Sequence, residues 1–382
     1  MTGMGSPEQV QQTARMDTRE DAPDTKEANA RADAPANART SASATNKIAG
    51  MSRRSFVAGI GASAAPAGGE EAPTKRTVLA FASDQHGETP GFEAWLRDQL
   101  KVYGDDLVHL TYGGDICDKS WEPAVFEGFK AVLDELVPGR YSVTTGNQEH
   151  KTGAPGPDWD SLGPGFLRTG EAASGEDYLI YHLGAAQETM EFPVDDIARL
   201  SEYLEYTPRD IPVFVVSHYP LHLAVPYSAH DIPGGYRQAK NNEILTQVLN
   251  KHPNVIFLWG HNHTFQDPRY GTIRPAGSKF TWDINDPTQK LTVNFTYANM
   301  GSFCRGDTYG AVAEITREGE NRVVKLYFVD TDVPMDTKES AVITFSPDGA
   351  VVCDTTASDS INFIDMFYLS GWYEDPDFMA DY

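Results

Sequence analysis

His261 and His263 stand one residue apart at the end of the run Val255-Ile-Phe-Leu-Trp-Gly-His-Asn-His263. Two imidazoles so spaced, just past an apolar stretch, are candidate metal ligands. Alone, Gly-His-Asn-His also reads as a polar turn. Four further clusters of similar residue types decide between the two readings: Asp84-Gln-His86, Gly114-Asp-Ile-Cys-Asp118, Gly146-Asn-Gln-Glu-His150 and Ser217-His218. Carboxylate, imidazole and amide oxygen together form a mixed oxygen and nitrogen set. Such a set suits borderline divalent metals such as zinc, manganese, iron or cobalt.

Each cluster follows a stretch that reads as a strand, and in open α/β sheets ligands bind past the carboxyl ends of strands. Val78–Ala82, Leu107–Thr111, Tyr141–Thr145, Val213–Val216 and the run before Gly260 are the five strands that must aim these residues, with Asp177–Leu183 as a sixth. Between them, apolar residues at helical spacing predict helices. They are Phe92, Trp95, Leu96 and Leu100, then Val125 to Leu136 stopped by Pro138-Gly139, then Ile197, Leu200 and Leu204, then Ile244 to Leu249. Strands alternating with helices predict a largely parallel or mixed sheet. After about Lys290 the helices stop. Leu291–Tyr297, Tyr309–Ile315, Arg322–Phe328 and Ala341–Phe345 read as antiparallel strands of a second sheet packed on the first.

The 382 residues carry a formal net charge of -24. That balance argues against a nucleic-acid partner, because phosphate backbones require Lys/Arg patches. An anionic substrate must then be attracted locally, by metal ions rather than by the overall field. Residues 1–50 hold almost no large apolar side chains and are expected to be disordered. In 51–75, Arg53-Arg54 precede a short Ala/Gly-rich run that resembles a twin-arginine export signal, too short to span a membrane. Export to the periplasm or beyond is therefore expected, with a flexible linker in a cytoplasmic protein as the alternative. No transmembrane helix is expected. The main domain is placed at 76–346 and an acidic, aromatic extension at 347–382. Cys117 reads as a small packing residue, whereas Cys304 and Cys353 could pair or stay two unrelated thiols. Nothing in the sequence sets an oligomeric state.

Taken in order, the five clusters resemble the calcineurin-like metallophosphoesterase family, whose pattern is Asp-x-His, Gly-Asp-x-x-Asp, Gly-Asn-His-Glu/Asp, a lone His after a strand, and Gly-His-x-His. The resemblance covers roughly Thr77 to Gly310. It implies an α/β fold of two packed mixed β-sheets flanked by helices, a four-layer αββα sandwich. It also implies a centre of two divalent ions (Mn, Fe or Zn) that hydrolyses phosphate esters, attacking phosphorus with a metal-bridging hydroxide. By resemblance, Asp84, His86, Asp115 and His263 hold one ion. Asp115 bridges, and Asn147, His218 and His261 complete the second site. Asp118 is expected beside a ligand imidazole. The purple acid phosphatases have an iron-ligating Tyr at this position, and the Ser/Thr protein phosphatases have Arg where Lys119 and Thr145 stand, so both subfamilies are disfavoured.

The departure is Gln148, where the family has His. Gln donates no titratable proton. Either His150 takes over as general acid or phosphate contact, or the leaving group needs no acid. His109 and His182 read as structural. His252 reads as a cation near a helix C-terminus. His222 and His230, in the Pro/Gly loop after His218, are candidate substrate contacts. So are Trp159, Phe166 and Arg168 in the long segment Lys151–Glu176. The rival from another class is a non-catalytic relative that uses the fold as a binding scaffold. Such a relative is expected to have lost ligands, yet all seven ligand positions are filled here.

Overall fold

The computed structural model describes residues 76–118, 121–150, 162–168, 170–183, 191–221, 241–261, 263, 273–283, 286–304, 308–330 and 340–355. The expected leader, the signal-like segment, Trp159, His222, His230 and most of the C-terminal extension lie outside them. In chain order the strands are β1 (Thr77–Ala82), β2 (Leu107–Tyr112), β3 (Tyr141–Val143), β4 (Glu171–Ser174), β5 (Leu179–His182), β6 (Val213–Ser217), β7 (Val255–Trp259), β8 (Ile273–Arg274), β9 (Lys279–Asp283), β10 (Asp286–Thr292), β11 (Thr296–Asn299), β12 (Gly301–Ser302), β13 (Tyr309–Glu318), β14 (Asn321–Asp330), β15 (Ser340–Phe345) and β16 (Val351–Thr355). The helices are α1 (Thr89–Tyr103), α2 (Pro123–Leu136), α3 (Val194–Tyr206) and α4 (Asn242–Leu249).

Two mixed sheets carry the fold. The first runs β16-β15-β14-β13-β1-β2-β3 and the second β4-β5-β6-β7-β11-β8. Period-two alternation sorts each strand's side chains onto opposite faces. Leu79 and Phe81 of β1, Phe214 and Val216 of β6, and Ile256 and Leu258 of β7 share one buried core between the sheets. Val78, Ala80 and Ala82 turn the other way, toward Phe92, Trp95 and Leu96 of α1 and Phe126, Phe129 and Leu133 of α2. Val213, Val215, Val255, Phe257 and Trp259 face Ile197, Leu200 and Leu204 of α3 and Leu245 and Leu249 of α4. Three buried layers between four tiers of structure make the expected αββα sandwich. No helix among the described residues is long and apolar enough to cross a membrane.

The sheet order departs from the sequence expectation. The C-terminal strands do not build a second sheet. β13 pairs antiparallel with β1, so the meander β13 to β16 widens the first sheet, and the second sheet comes from the middle of the chain. Which strands become neighbours is a long-range choice that local periodicity does not encode. The expected strand Leu291–Tyr297 is broken. β10 ends at Thr292, and β11 starts at Thr296 in parallel register with β7. At the other end β16 continues the sheet to Thr355, after a turn at Pro347-Asp-Gly349. Pro-Asp-Gly between two apolar runs is a turn signal the sequence did carry.

All three cysteines are free. Cys117 is buried in the core under α1 and α2, as expected, and burial pushes its thiol up to about 12. Phe166 is not a surface contact. It is buried against Phe126 and Tyr141, and Val143 and Leu167 join across a backbone hydrogen bond. His252 is not a cation either. Burial, then the charge of Arg209, lowers it to about 4, and its Nδ1 accepts from Arg209 Nη1 at 2.8 Å. Arg209 supplies the positive charge instead, donating to the Lys251 carbonyl just past α4.

Candidate metal centre

The five clusters sit just past the C-terminal ends of β1, β2, β3, β6 and β7. β1, β2 and β3 run parallel in one sheet, and β6 and β7 run parallel in the other. Parallel strands deliver all five loops to one edge, where the two sheets meet. The loops are laced to one another by backbone bonds: Asp84 N to Gly114 O at 3.0 Å, His86 N to Asp115 O at 3.1 Å and Gly260 N to His218 O at 3.1 Å.

Backbone strain marks the same place. Asp84, His86, Asp115, His261 and His263 all have positive φ, between 44 and 73°. Among the described non-glycine residues only Asn241 shares that property. Left-handed backbone is costly for most side chains and concentrates at functional sites. Glycines make room in two of the loops. A Cβ on Gly146 would lie 2.2 Å from Asp115 Oδ1, and one on Gly260 would lie 2.4 Å from Asp84 Oδ2.

The seven expected ligands come together. His263 Nε2 lies 3.0 Å from Asp84 Oδ1 and 3.1 Å from His86 Nε2. His86 Nε2 is 3.5 Å from Asp115 Oδ2. The same carboxylate oxygen is 3.2 Å from His218 Nε2. His218 Nε2 in turn is 3.0 Å from Asn147 Oδ1 and 3.2 Å from His261 Nδ1. The donors thus fall into two groups that share Asp115. Asp84, Asp115 and His218 are fully buried, and His86 and His263 are about one-tenth exposed, so the centre opens on the side of those two rings.

This arrangement fits metal ions. Donors held roughly 2.0–2.2 Å from an ion must lie roughly 3–3.5 Å from each other, as these do. Two pairs of imidazole nitrogens also point at each other, and two N–H groups cannot face at such distances, whereas two lone pairs can share a cation. The fields agree. Burial opposes the charge on Asp84, but His218, His263 and His86 outweigh it and hold its carboxyl well below the usual range. Burial likewise opposes protonation of His218 and His263, yet Asp115 and Asp84 raise the first to about 9, and Asp84 with Cys304 raises the second to about 11. The carboxylates demand positive charge at this spot. Among the described residues, three sets of side chains offer ligand atoms close enough to hold an ion: Asp84, His86 and Asp115; Asp115, His218 and His261; and His86, His263 and Cys304.

The remaining expected residues are placed as follows. Asp118 Oδ1 lies 3.4 Å from His86 Nδ1, the nitrogen facing away from the donors. Gly113 O plays the corresponding part for His218, at 3.1 Å from Nδ1. Gln148, in the 3-10 turn Gln148–His150, donates its backbone N–H to Asp115 Oδ1 at 2.9 Å, and its buried Oε1 has no hydrogen-bond partner among the described residues. His150 turns its Nε2 to the Thr145 hydroxyl at 2.6 Å. Arg168 is exposed before β4.

Two residues were missed from sequence. Glu149 is fully buried and accepts backbone N–H bonds from Asp115 (3.0 Å), Cys117 (2.9 Å) and Gly146 (2.7 Å). It clamps the Asp115 loop to the Asn147 loop. Burial, then the charge of Asp115, pushes it up to about 7. Its place in Gly-Asn-Gln-Glu was the available signal. Cys304 Sγ lies 3.3 Å from His263 Nδ1, and nothing in the local sequence announced it.

Residues 77–265 match the family model for calcineurin-like phosphoesterases. No curated protein matches the chain. Among solved structures it is similar to TT1561 of Thermus thermophilus, at 10% identity and a TM-score of 0.37, covering 68% of this chain and 100% of that one. It is similar to Vacuolar Protein Sorting 29 of Cryptosporidium parvum at 11% identity and a TM-score of 0.29, covering 74% and 97%. A 5'-nucleotidase precursor of Thermus thermophilus aligns at 13% identity and a TM-score of 0.35, covering 80% and 59%.

Proposed function

Given the match of residues 77–265 to the calcineurin-like phosphoesterase family model, we propose that this protein hydrolyses phosphate esters with two divalent metal ions, manganese, iron or zinc. The carrying observation is Asp115 Oδ2, which faces His86 at 3.5 Å and His218 at 3.2 Å and so belongs to both donor groups. Asp84, His86 and His263 hold one ion with Asp115, and Asn147, His218 and His261 hold the other. Such a pair lowers the pKa of bound water and neutralises charge on the reacting phosphoryl group. Asp118 and the Gly113 carbonyl fix the tautomers of His86 and His218, leaving Nε2 of each free as a ligand.

Gln148 stands where the family pattern has His, and its amide offers a neutral donor to a phosphate oxygen. The bond between His150 and Thr145 favours the second of the two alternatives, a leaving group that needs no proton from this loop. Monoesters and diesters both suit the centre. The Arg53-Arg54 segment supports export. A scaffold role finds no support in a complete ligand set.

The test is metal content and turnover of aryl phosphate monoesters and diesters, with manganese and zinc supplied in turn. Acidic and poor leaving groups should be compared within each ester class. Asp115→Ala is expected to lose metal from both positions and to lower turnover at least a thousandfold, on the order of what a metal cofactor supplies. Full metal content and activity in that variant would refute the centre.

A further inference from the structure

The segment from Met300 to Cys304 crosses between the two sheets at the edge where the donors gather. Met300 N–H donates to the Trp259 carbonyl at the end of β7, at 2.7 Å, and Phe303 N–H donates to the Asp84 carbonyl past β1, at 3.0 Å. Pinned at both points, the chain presents the Cys304 thiol, 1% exposed, to the ring of His263. Sγ lies 3.3 Å from Nδ1, while Nε2 of the same ring faces Asp84 at 3.0 Å and His86 at 3.1 Å. On its other side Sγ meets Ser302 Oγ at 3.4 Å, and that hydroxyl also accepts the Cys304 N–H at 3.5 Å.

We propose that Cys304 is a positioning residue for His263: its sulfur accepts a hydrogen bond from Nδ1–H, which fixes the tautomer and leaves the Nε2 lone pair aimed at the metal position shared with Asp84 and His86. This inference rests on the proposed metal centre. The chemistry is consistent at each atom. Sulfur is a weak acceptor and S–H a weak donor, so the thiol donates a hydrogen bond to Ser302 Oγ and accepts one from His263. Carboxylates and carbonyls usually fill this place behind a ligand histidine, and Asp118 and Gly113 do so for His86 and His218 here. Among the described residues, no carboxylate or carbonyl lies within hydrogen-bond reach of His263 Nδ1, and Cys304 does. Direct ligation by sulfur is the competing geometry. It is disfavoured because Sγ and the donors Asp84 and His86 lie against opposite nitrogens of one ring.

The experiment measures metal affinity by chelator competition, together with the absorption spectrum of the cobalt-substituted protein. Cys304→Ala is expected to weaken binding at one of the two positions by about 10- to 100-fold, the usual effect of removing a partner behind a ligand. Cys304→Ser, which restores an acceptor, should recover most of the loss. Cys304→Val keeps the volume without the acceptor, should behave like alanine, and decides the matter if the alanine variant does not fold. The visible bands of bound cobalt should shift in the alanine and valine variants, and the wild type should show no intense near-ultraviolet sulfur-to-cobalt band. Unchanged affinity in Cys304→Ala or Cys304→Val overturns the proposal, as does a strong sulfur band lost with the thiol. His263→Ala separates the two levels. If it keeps its full metal, the centre itself is misread; if it loses metal while the Cys304 variants do not, only this inference fails.

Discussion

Between the sheets, away from the metal ligands, Ser142 Oγ sits 2.8 Å from Nε2 of both His109 and His182. The hydroxyl has one proton to give and two lone pairs, so at most one of the two rings can accept from it, and the Thr111 hydroxyl at 3.4 Å is a further partner. His182 Nδ1 is buried with no hydrogen-bond partner among the described residues. A bare lone pair there costs less than an orphaned N–H, so His182 is neutral and donates through Nε2. Burial lowers His109 to about 4, and burial with the neighbouring His109 lowers His182 to about 3. Both folded-state values lie below the unfolded value near 6.5. Above about pH 6.5 both states are neutral and nothing is lost. As pH falls, the unfolded chain takes up protons that the folded one refuses, and each histidine then removes up to about 1.4 kcal/mol of stability per pH unit. The loss continues until the folded values near 4 and 3 are reached. Melting temperature followed from pH 7 to pH 4.5 should fall more steeply for the wild type than for the His109→Gln, His182→Gln double variant. Parallel slopes would mean that these rings are not neutral in the folded protein.

At the scale of elements, the question is what lets five loops crowd one edge. Gly260 follows β7 where a side chain would collide with Asp84 Oδ2 at 2.4 Å and Ser83 Oγ at 2.2 Å. Gly260→Ala must displace the carboxylate that accepts the His261 N–H at 2.8 Å. Overpacking of this kind costs about 1–3 kcal/mol, and metal content should drop with stability. Gly128, on the exposed face of α2 with nothing within 4 Å, is the contrast. Gly128→Ala should raise stability by up to about 1 kcal/mol and leave the metal untouched. Thermal melts with metal analysis check both, and an unchanged metal content in Gly260→Ala would show that the Asp84 loop can yield. The ligands were legible in sequence because metal chemistry admits few residue types and the fold places each after a strand. The helices were legible because each buries one face, as Phe92, Trp95 and Leu96 do in α1. What was not legible depends on pairings distant in sequence. The antiparallel seam of β13 on β1, the approach of Cys304 to His263, the Glu149 clamp and the His109–Ser142–His182 contact all join residues that local periodicity treats as unrelated. Phe166 and His252 were misjudged for a related reason, since loop position says little about burial.

For the whole molecule, the charge of -24 and the expected substrate have the same sign. A field summed over the chain therefore opposes the approach of a phosphate ester, while the ions of the proposed centre attract it only at short range. The two act over different distances. Salt at about 0.1 M screens exposed charges beyond roughly 10 Å, so it weakens the distant repulsion and leaves a contact inside the cleft largely intact. Enzymes that steer a substrate of opposite charge slow down as salt is added; this one should speed up. The second-order rate constant kcat/KM should rise between about 0.01 M and 0.15 M ionic strength, and the rise should be the same with different salt anions, the check that none of them occupies the centre. The rise should be steeper for a monoester dianion than for a diester monoanion, because the repulsion scales with substrate charge. A rate that falls with salt, more steeply for the dianion, would mean that positive charge at the mouth outweighs the acidic surface, and that approach is governed by residues near His86 and His263 rather than by the molecule as a whole.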